Sequence, residues 1–542
     1  MNIRYPDHVT VYTETDVYKQ TYTGDIVIDD INLSLGLEND GLSVKVTADQ
    51  TPITFIRLRW NFTAEEKRRD AIKILGDSYE RGYGDIRWAG IEPERNMPWY
   101  MLVSNGSDSV ADTKGRYTEG FGVKVQCFAF VHWQYDAAGV SMWADIRSGG
   151  MGVVLSGKTL EACTVVFGDY KDMSAFEAGQ NFCKKMCPVN NLPKHKVYGS
   201  NNWYYAYGKS SREEIISDTK IVSEQCEGLE NIPYMVIDDG WTIHGTNAPW
   251  LSNEKFGDMK TLADEMRKMN VRPGIWVRYL TDEKFALTEA KPDWFIKRGE
   301  NCPYLDPTHP EVIEYVKTVT KRVVDWGYEL IKHDYSSHDI SGGFTPLYMT
   351  DRYTKDGWHL YDRSKTTAQA TVEFYRTVKE AAGEDCVIIG CNTVSHLCAG
   401  MYELNRTGDD TSGFDWGRTR RMGVNTLAFR LMQNGIFYMA DADCVGITGA
   451  ISWDLNKMWL DVLAKSGSPL FVSCKPGVLN ESELADLKEG WKINSVQENT
   501  CRPLDWMENQ YPERWLIDGE EVCYNWYTEE GIDSFRPAMI KK

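Results

Sequence analysis

The chain is most readily interpreted from one stretch, Tyr234-Met235-Val236-Ile237-Asp238-Asp239-Gly240-Trp241, in which a short apolar run leads directly into two acidic residues. Five further apolar runs downstream also finish in charged or polar residues. They end at Arg278, Lys332-His333-Asp334-Tyr335, Cys391-Asn392, Arg406-Thr407-Gly408-Asp409-Asp410, and Asp441-Ala442-Asp443. Buried parallel strands whose C-terminal ends carry polar side chains from several elements are typical of a (β/α)8 barrel. The pattern therefore predicts a barrel with an active site at that end.

Strand and helix signals alternate over residues 191–475, which we interpret as a catalytic (β/α)8 barrel. Strands are predicted at 197–205, 234–237, 273–277, 328–332, 386–390, 402–405, 437–440 and 469–474. Ser210 and Glu213 have the spacing of a capping box that would open the helix after the first strand. A doubly wound sheet would need a glycine-rich phosphate turn after that strand, and none is present.

The flanking regions have a different character. Residues 1–190 contain many short runs rich in β-branched and aromatic residues, separated by turn signals, which predicts an N-terminal β-sandwich domain. Residues 476–542 begin with a helix signal and continue in short aromatic strands, which predicts a small C-terminal β domain. The fold class expected for the whole chain is multidomain α/β.

Composition narrows the range of partners. The net charge of −19 disfavours nucleic acid and anionic membrane surfaces, both of which need clustered Lys and Arg. No apolar window is long enough to span a membrane, and the first residues contain no apolar signal-peptide core. The 13 cysteines are scattered, mostly within apolar runs, which indicates free thiols in a reducing compartment. We therefore expect a cytoplasmic protein. No zinc-ligand pairing, EF-hand spacing or P-loop is present, so no metal or organic cofactor is expected.

The predicted strand ends carry carboxylates of the kind that glycoside hydrolysis requires. Retaining hydrolysis needs one carboxylate as nucleophile and a second carboxyl group as acid and base. Alternation along the fourth strand points Lys332 and Asp334 to the same side, where the cation would keep the carboxylate ionised. The alternative is a solvated loop aspartate beside a surface lysine.

Asp409 and Asp410 follow Arg406, and like charge and burial could keep one of the two carboxyls protonated near neutral pH. They could equally cap a helix, because acids favour helix N-termini. Trp203, Trp241, Trp276 and Tyr279 could stack on sugar rings, although isolated aromatics are more often core residues.

Several segments, in the same order along the chain, resemble α-galactosidases of glycoside hydrolase clan D, and family 36 in particular. They are Glu80-Arg81-Gly82-Tyr83-Gly84-Asp85-Ile86-Arg87-Trp88, Ile237-Asp238-Asp239-Gly240-Trp241, Phe256-Gly257-Asp258-Met259-Lys260-Thr261-Leu262-Ala263-Asp264, Arg272-Pro273-Gly274-Ile275-Trp276, Tyr304-Leu305-Asp306-Pro307-Thr308-His309-Pro310-Glu311-Val312, and Gly467-Ser468-Pro469-Leu470-Phe471. The resemblance implies retaining, exo-acting hydrolysis of terminal α-galactoside-type bonds in oligosaccharides or glycoconjugates, by an enzyme that forms homo-oligomers.

The resemblance also implies roles for individual residues. Asp334 takes the position of the nucleophile, and Asp410 that of the acid/base, with Asp409 as the fallback. The candidate substrate-binding residues are Trp203, Asp238, Asp239, Trp276, Arg278, Lys332, Cys391, Asn392, Arg406, Asp409 and Asp443.

Two departures from the family pattern leave the sugar open. The nucleophile segment Lys332-His333-Asp334-Tyr335-Ser336 differs from the usual Lys-Trp-Asp-Met-Asn. Cys391-Asn392-Thr393-Val394-Ser395 lacks the glycine run of family 36 and the Glu of family 27, in the loop expected to face the sugar 2-position. An α-N-acetylgalactosaminidase or α-galactosaminidase is the first alternative, transglycosylation is possible, and a non-catalytic carbohydrate-binding protein is the alternative from another class.

Overall fold

The computed structural model describes residues 1–38, 40–66, 71–243, 250–284, 287, 291–299, 302–342, 357–498, 500–529 and 531. The strands of the N-terminal part are β1 (His8–Thr13), β2 (Val17–Thr21), β3 (Ile26–Ile28), β4 (Ile31–Glu38), β5 (Gly41–Ala48), β6 (Ile53–Asn61), β7 (Ile72–Gly76), β8 (Trp88–Ala89), β9 (Met97–Pro98), β10 (Tyr100–Asn105), β11 (Tyr117–Val123), β12 (Phe130–Asp136), β13 (Gly139–Asp145) and β14 (Thr159–Lys171).

These strands form two antiparallel sheets, in the orders β2-β1-β6-β13-β12-β9 and β3-β4-β5-β14-β11-β10-β7-β8. Alternation along β4 buries Ile31, Leu33 and Leu35, as a half-buried strand requires. Aromatic rings fill the space between the sheets: Phe167 of the second sheet lies 5.3 Å from Trp60 of the first. The predicted N-terminal β-sandwich is present.

The remaining strands are β15 (Tyr198–Asn201), β16 (Tyr234–Ile237), β17 (Arg272–Val277), β18 (Leu330–His333), β19 (Val387–Gly390), β20 (Leu404–Arg406), β21 (Met439–Asp441), β22 (Cys444–Ile447), β23 (Leu470–Cys474), β24 (Arg502–Pro503), β25 (Arg514–Ile517) and β26 (Glu520–Cys523). The helices are α1 (Ala175–Met186), α2 (Trp203–Ala206), α3 (Arg212–Gln225), α4 (Met259–Lys268), α5 (Pro310–Asp325), α6 (Ser336–Ser341), α7 (Thr367–Ala382), α8 (Ser395–Cys398), α9 (Trp416–Thr419), α10 (Thr426–Arg430), α11 (Trp453–Lys465) and α12 (Glu481–Asn494).

The parallel sheet runs in the order β21-β20-β19-β18-β17-β16-β15-β23-β22. The seventh strand, predicted at 437–440, is observed as β21, and β22 follows it beyond the predicted bounds, separated only by Ala442 and Asp443. β21 pairs with β20 and β22 with β23, so the sheet closes on itself. Asp443 adopts a left-handed conformation, with φ 72°, at the break. The eight predicted strands therefore form the (β/α)8 barrel.

Alternate side chains of a barrel strand point to the barrel interior, so the same strand supplies core residues and, at its end, site residues. In β18, Leu330 packs inside the barrel and Lys332, two residues later, lies on the same side. His333 points outward into a cluster of aromatic rings, and its Nδ1 lies 3.0 Å from the hydroxyl of Tyr402. Burial without charged partners lowers the pKa of His333 to about 3.

Some predicted element boundaries were wrong. The first barrel strand ends at Asn201, and Trp203 begins the short helix α2 instead of continuing the strand. The cap of α3 is Ser211, whose side chain accepts the backbone N–H of Glu214, so the capping box is not at Ser210.

The C-terminal part contributes α12 and the three-stranded sheet β24-β25-β26. Trp506 connects it to the sandwich, because its indole N–H donates to Asp108 at 2.9 Å and its ring lies 5.3 Å from Trp88. The domain boundaries at 190 and 475 stay predictions. Within the described ranges, no helix combines the length and the apolarity needed to cross a membrane.

Candidate active site

Asp334 lies immediately beyond the end of β18, at the C-terminal mouth of the barrel. The indole N–H of Trp276, from the neighbouring strand β17, donates to its Oδ2 at 2.9 Å, and the backbone N–H of Tyr335 donates to its Oδ1 at 2.8 Å. The side chain is buried, with 8% exposure. Two hydrogen bonds thus orient a carboxylate that solvent barely reaches.

Lys332 and Asp238 form the second part of the site. Nζ of Lys332 lies 2.7 Å from Oδ2 of Asp238, which also accepts from the side-chain amide of Asn201 at 2.6 Å. Burial alone would lower the pKa of Lys332, but the carboxylate of Asp238 outweighs it and raises the pKa well above its usual value. Burial, reinforced by the charge of Asp238, raises the pKa of Asp239 to about 7. The two adjacent acids therefore differ in their surroundings, because Asp238 pairs with Lys332, whereas the carboxyl of Asp239 titrates near neutrality.

Arg406 organises the third part, at the ends of β20 and β21. Its guanidinium is 1% exposed and lies 2.9 Å from Asp443 and 3.3 Å from Asp410. Its Nη1 donates to the sulfur of Cys391 at 3.4 Å. Asp443 also accepts the hydroxyl of Tyr204. A small cavity in the barrel is lined by residues of the second and third parts, including Lys332, Arg406 and Asp443.

Tyr335 belongs to the first part of the site: its backbone N–H donates to Asp334, and its ring lies 6.5 Å from that of Trp276. Burial raises the pKa of its phenol, and the charge of Asp334 raises it further. Arg278 lies over the same ring, 4.3 Å from its centroid.

A segment of the N-terminal sandwich completes the site. The backbone of Gly82 bonds to both sides of the loop after β20: its N–H donates to Thr407 at 2.8 Å, and its carbonyl accepts from the N–H of Asp409 at 2.9 Å. Arg81 then reaches Asp409 at 2.9 Å and Asp410 at 3.4 Å.

Sequence reasoning did not include Arg81 or its neighbour Glu80 among the site residues. The signal was available, since both belong to the segment that carries the resemblance in the N-terminal region. What the sequence alone could not indicate is that this segment folds over the barrel mouth.

The expectation that like charge would keep one of the two adjacent acids protonated was wrong for Asp410. Burial would raise the pKa of Asp410, but Arg406 and Arg81 outweigh it and hold the pKa below its usual range. Asp409 forms ion pairs with Arg81, at 2.9 Å, and with Arg418, at 2.7 Å. The alternative in which either acid caps a helix was also wrong, because Asp415 caps α9. The side chain of Asp410 is 36% exposed and remains accessible to a substrate.

Two of the predicted binding residues are engaged elsewhere. Arg278 makes a bidentate pair with Asp339, at 2.7 and 3.0 Å. The side chain of Asn392 donates to Glu80 at 3.0 Å and accepts from Ser337 at 2.9 Å. The strand-five segment therefore turns its amide toward the N-terminal sandwich, and Cys391 is its member that reaches the centre of the site.

Most of the predicted stacking aromatics are core residues. Trp241, Trp276 and Tyr279 are at most 2% exposed, so they offer no face to a ligand. Trp276 acts instead through its N–H on Asp334. Trp203 is half-buried at the rim, next to Tyr207. Among the described residues, no group of three or more His, Cys, Asp or Glu side chains is placed to hold a metal ion.

No protein-family model matches the chain. It is nevertheless similar to solved structures of α-galactosidases. TtGalA from Thermus thermophilus, in complex with p-nitrophenyl α-D-galactopyranoside, matches with a TM-score of 0.60 at 14% identity, over 92% of this chain and 99% of that one. The GH36 α-galactosidase AgaA from Geobacillus stearothermophilus matches with a TM-score of 0.60 at 13% identity, over 95% of this chain and 79% of that one. The galactosidase domain of the α-galactosidase-sucrose kinase AgaSK matches with a TM-score of 0.58 at 16% identity, over 90% and 69%. This chain has the multidomain fold of these α-galactosidases.

Proposed function

We propose that this protein is a retaining, exo-acting α-glycosidase that hydrolyses terminal α-galactoside-type bonds through a covalent glycosyl-enzyme on Asp334. The observation that carries the proposal is the buried Asp334 carboxylate, oriented by Trp276 at the mouth of the barrel, together with the accessible Asp410, which pairs with Arg406 at the end of β20. The ligands named for structurally similar proteins, p-nitrophenyl α-D-galactopyranoside and stachyose, make an α-galactoside the first choice of substrate.

In the first step, a carboxylate oxygen of Asp334 attacks the anomeric carbon and forms a glycosyl ester. The bond between that carbon and the leaving oxygen breaks, and Asp410 in its protonated form donates its proton to the leaving oxygen. Because Arg406 and Arg81 hold the pKa of Asp410 low, this form is populated at acidic pH, and the step is expected to be fastest there. The hydrogen bonds from Trp276 and from the Tyr335 backbone orient the carboxylate of Asp334, as a nucleophile requires.

In the second step, Asp410, now a carboxylate, accepts a proton from water while the water oxygen attacks the anomeric carbon. The ester bond breaks, the sugar leaves with the configuration retained, and Asp334 is again a carboxylate. Asp238 and Asp239 are suited to accept hydrogen bonds from ring hydroxyls, and Lys332 and Arg406 to donate to them.

The amino-sugar alternative is based on small polar residues in the strand-five loop. One of them, Asn392, has its side chain engaged with Glu80 and Ser337 and is not free to face a sugar substituent. Assembly into a homo-oligomer stays a prediction.

The test compares release of p-nitrophenol from the α-galactoside and from the α-N-acetylgalactosaminide, with Asp334→Ala as control. We expect preference for the galactoside and loss of turnover in the variant. Preference for the amino sugar would replace the proposed substrate. Binding of galactose with no turnover of either substrate would favour a non-catalytic carbohydrate-binding protein, and unchanged activity in Asp334→Ala would refute the assigned nucleophile.

A further inference from the structure

Two large aromatic side chains are exposed together at the rim of the site. Tyr207, at the end of α2, is 44% exposed, and Phe414, in the loop after β20, is 54% exposed. Their ring centroids are 6.1 Å apart with an interplanar angle of 35°, and Trp203 lies 5.3 Å from Tyr207 on the other side. Adjacent exposed aromatic rings form an apolar patch in contact with water, and such patches often mark binding sites.

The backbone holds Tyr207 in this exposed position. Its φ of 44° lies in the left-handed region, which is costly for a bulky residue. The next residue, Gly208, packs so closely on Gly240 that a Cβ on Gly240 would lie 2.5 Å from the carbonyl oxygen of Gly208. Because Gly240 directly follows Asp239, the aromatic turn is fixed against one of the proposed sugar-binding acids.

The same turn faces the proposed acid/base. Phe414 lies four residues after Asp410 in the same loop. The loop packs on α2, because a Cβ on Gly413 would lie 3.2 Å from the carbonyl oxygen of Tyr204, and the rings of Phe414 and Tyr207 are in contact. A group that protonates the leaving oxygen stands on the aglycone side of the scissile bond. Aromatic faces next to this acid therefore lie on the side where the aglycone binds.

We propose that Tyr207 and Phe414 form a stacking platform for the aglycone, and that this aglycone is the second sugar ring of an oligosaccharide. This inference rests on the proposed function. A pyranose presents an apolar face of C–H groups, which suits two tilted rings. Arg418, four residues after Phe414, pairs with Asp409 at 2.7 Å, so a charged side chain lies in the same segment of chain as the platform.

The experiment uses two substrates with the same galactosyl group. Raffinose carries a sugar aglycone, whereas α-galactosyl fluoride has a single atom as leaving group and needs no stacking. The variants are Tyr207→Ala, Phe414→Ala and the double variant, with Tyr207→Phe to retain the ring. Tyr5→Ala is the matched control, because Tyr5 is 39% exposed and stacks on Tyr22 in the N-terminal part of the chain.

We expect kcat/KM for raffinose to fall about five- to tenfold in each alanine variant and further in the double variant. The loss on the fluoride should be much smaller, Tyr207→Phe should retain most activity on raffinose, and Tyr5→Ala should match the wild type on both substrates.

Three outcomes would overturn the inference while leaving the proposed function intact: equal losses on the two substrates, no loss on raffinose, or a wild type that cleaves the fluoride but not raffinose. A smaller mass of the double variant in light scattering would assign the aromatic pair to a contact between copies and would also overturn it. A wild type inactive on both substrates would instead refute the proposed function.

Discussion

The carboxylate that follows β18 and the two carboxylates that follow β20 stand at the same mouth of one barrel but are held in opposite ways. Asp334 accepts one indole N–H and one backbone N–H. Asp409 and Asp410 lie among three arginines, Arg81, Arg406 and Arg418. The first arrangement orients a carboxylate with neutral donors, and the second sets its charge state with cations.

The two arrangements also differ in origin. Everything that contacts Asp334 comes from the barrel strands and the turn that follows them. Arg81 comes from the sandwich, more than 300 residues away in sequence, and reaches the loop after β20 because Gly82 is bonded to it on both sides. The comparison indicates that the barrel alone can orient the proposed nucleophile, whereas the surroundings of the proposed acid/base include a segment of the N-terminal sandwich.

The largest effect is expected at the position held by neutral donors. Asp334→Ala removes the attacking atom, so kcat should fall on the order of 10⁴-fold. Sodium azide should restore part of the activity by occupying the vacated space, with β-galactosyl azide as product. Circular dichroism spectra serve as the folding control, and an α-configured azide would contradict the assigned face of attack.

Asp410→Ala and Asp409→Ala form a matched pair at the other position. Loss of the acid should reduce kcat/KM for raffinose, which reports the first step, about 10²- to 10⁴-fold, with a much smaller loss for α-galactosyl fluoride, whose leaving group needs no proton. We expect this selective loss for Asp410→Ala only. Its appearance in Asp409→Ala instead would exchange the two roles.

Trp276→Phe tests the contribution of a neutral donor, the indole N–H that bonds to Asp334. It deletes the N–H that points at Oδ2 of Asp334 and keeps most of the buried ring. Hydrogen bonds to charged groups contribute about 1.5–3 kcal/mol, so kcat should fall about ten- to a hundredfold. Trp250→Phe is the control, because Trp250 is equally buried, packs 5.8 Å from Trp276, and its indole nitrogen has no hydrogen-bond partner among the described residues. Similar losses in both variants would mean that packing, and not the hydrogen bond, is responsible.

Arg81→Met tests the cationic side and should have the smallest effect on the maximal rate. Asp410 must be protonated to act as an acid, so activity is lost as pH rises through its pKa. Arg81 lowers that pKa, and its removal should move the alkaline limb of kcat/KM to higher pH. Arg81→Lys keeps the charge and should leave the limb nearer its original position. A limb that stays in place in Arg81→Met, or moves to lower pH, would contradict the role assigned to Arg81.

The barrel was predictable because its signal is local and repeated. The second strand was predicted at its observed bounds, 234–237, since an uninterrupted apolar run ends there at a pair of acids. The first strand was predicted too long, because Trp203 and Tyr204 are residue types that favour strands. In the structure both belong to the helix α2, and the hydroxyl of Tyr204 donates to Asp443. Propensity alone does not contain that contact.

The sequence by itself determined which residues stand at the strand ends. Side chains alternate with a period of two, so Lys332 and Asp334 must follow Leu330 to the barrel interior. Only the tertiary structure decided the pKa of the acid at the end of β20. Like charge between Asp409 and Asp410 predicted a raised pKa, but Arg406 and Arg81, the latter from the N-terminal sandwich, lower the pKa of Asp410. Electrostatic energy depends on distance in space, and distance along the chain does not specify it.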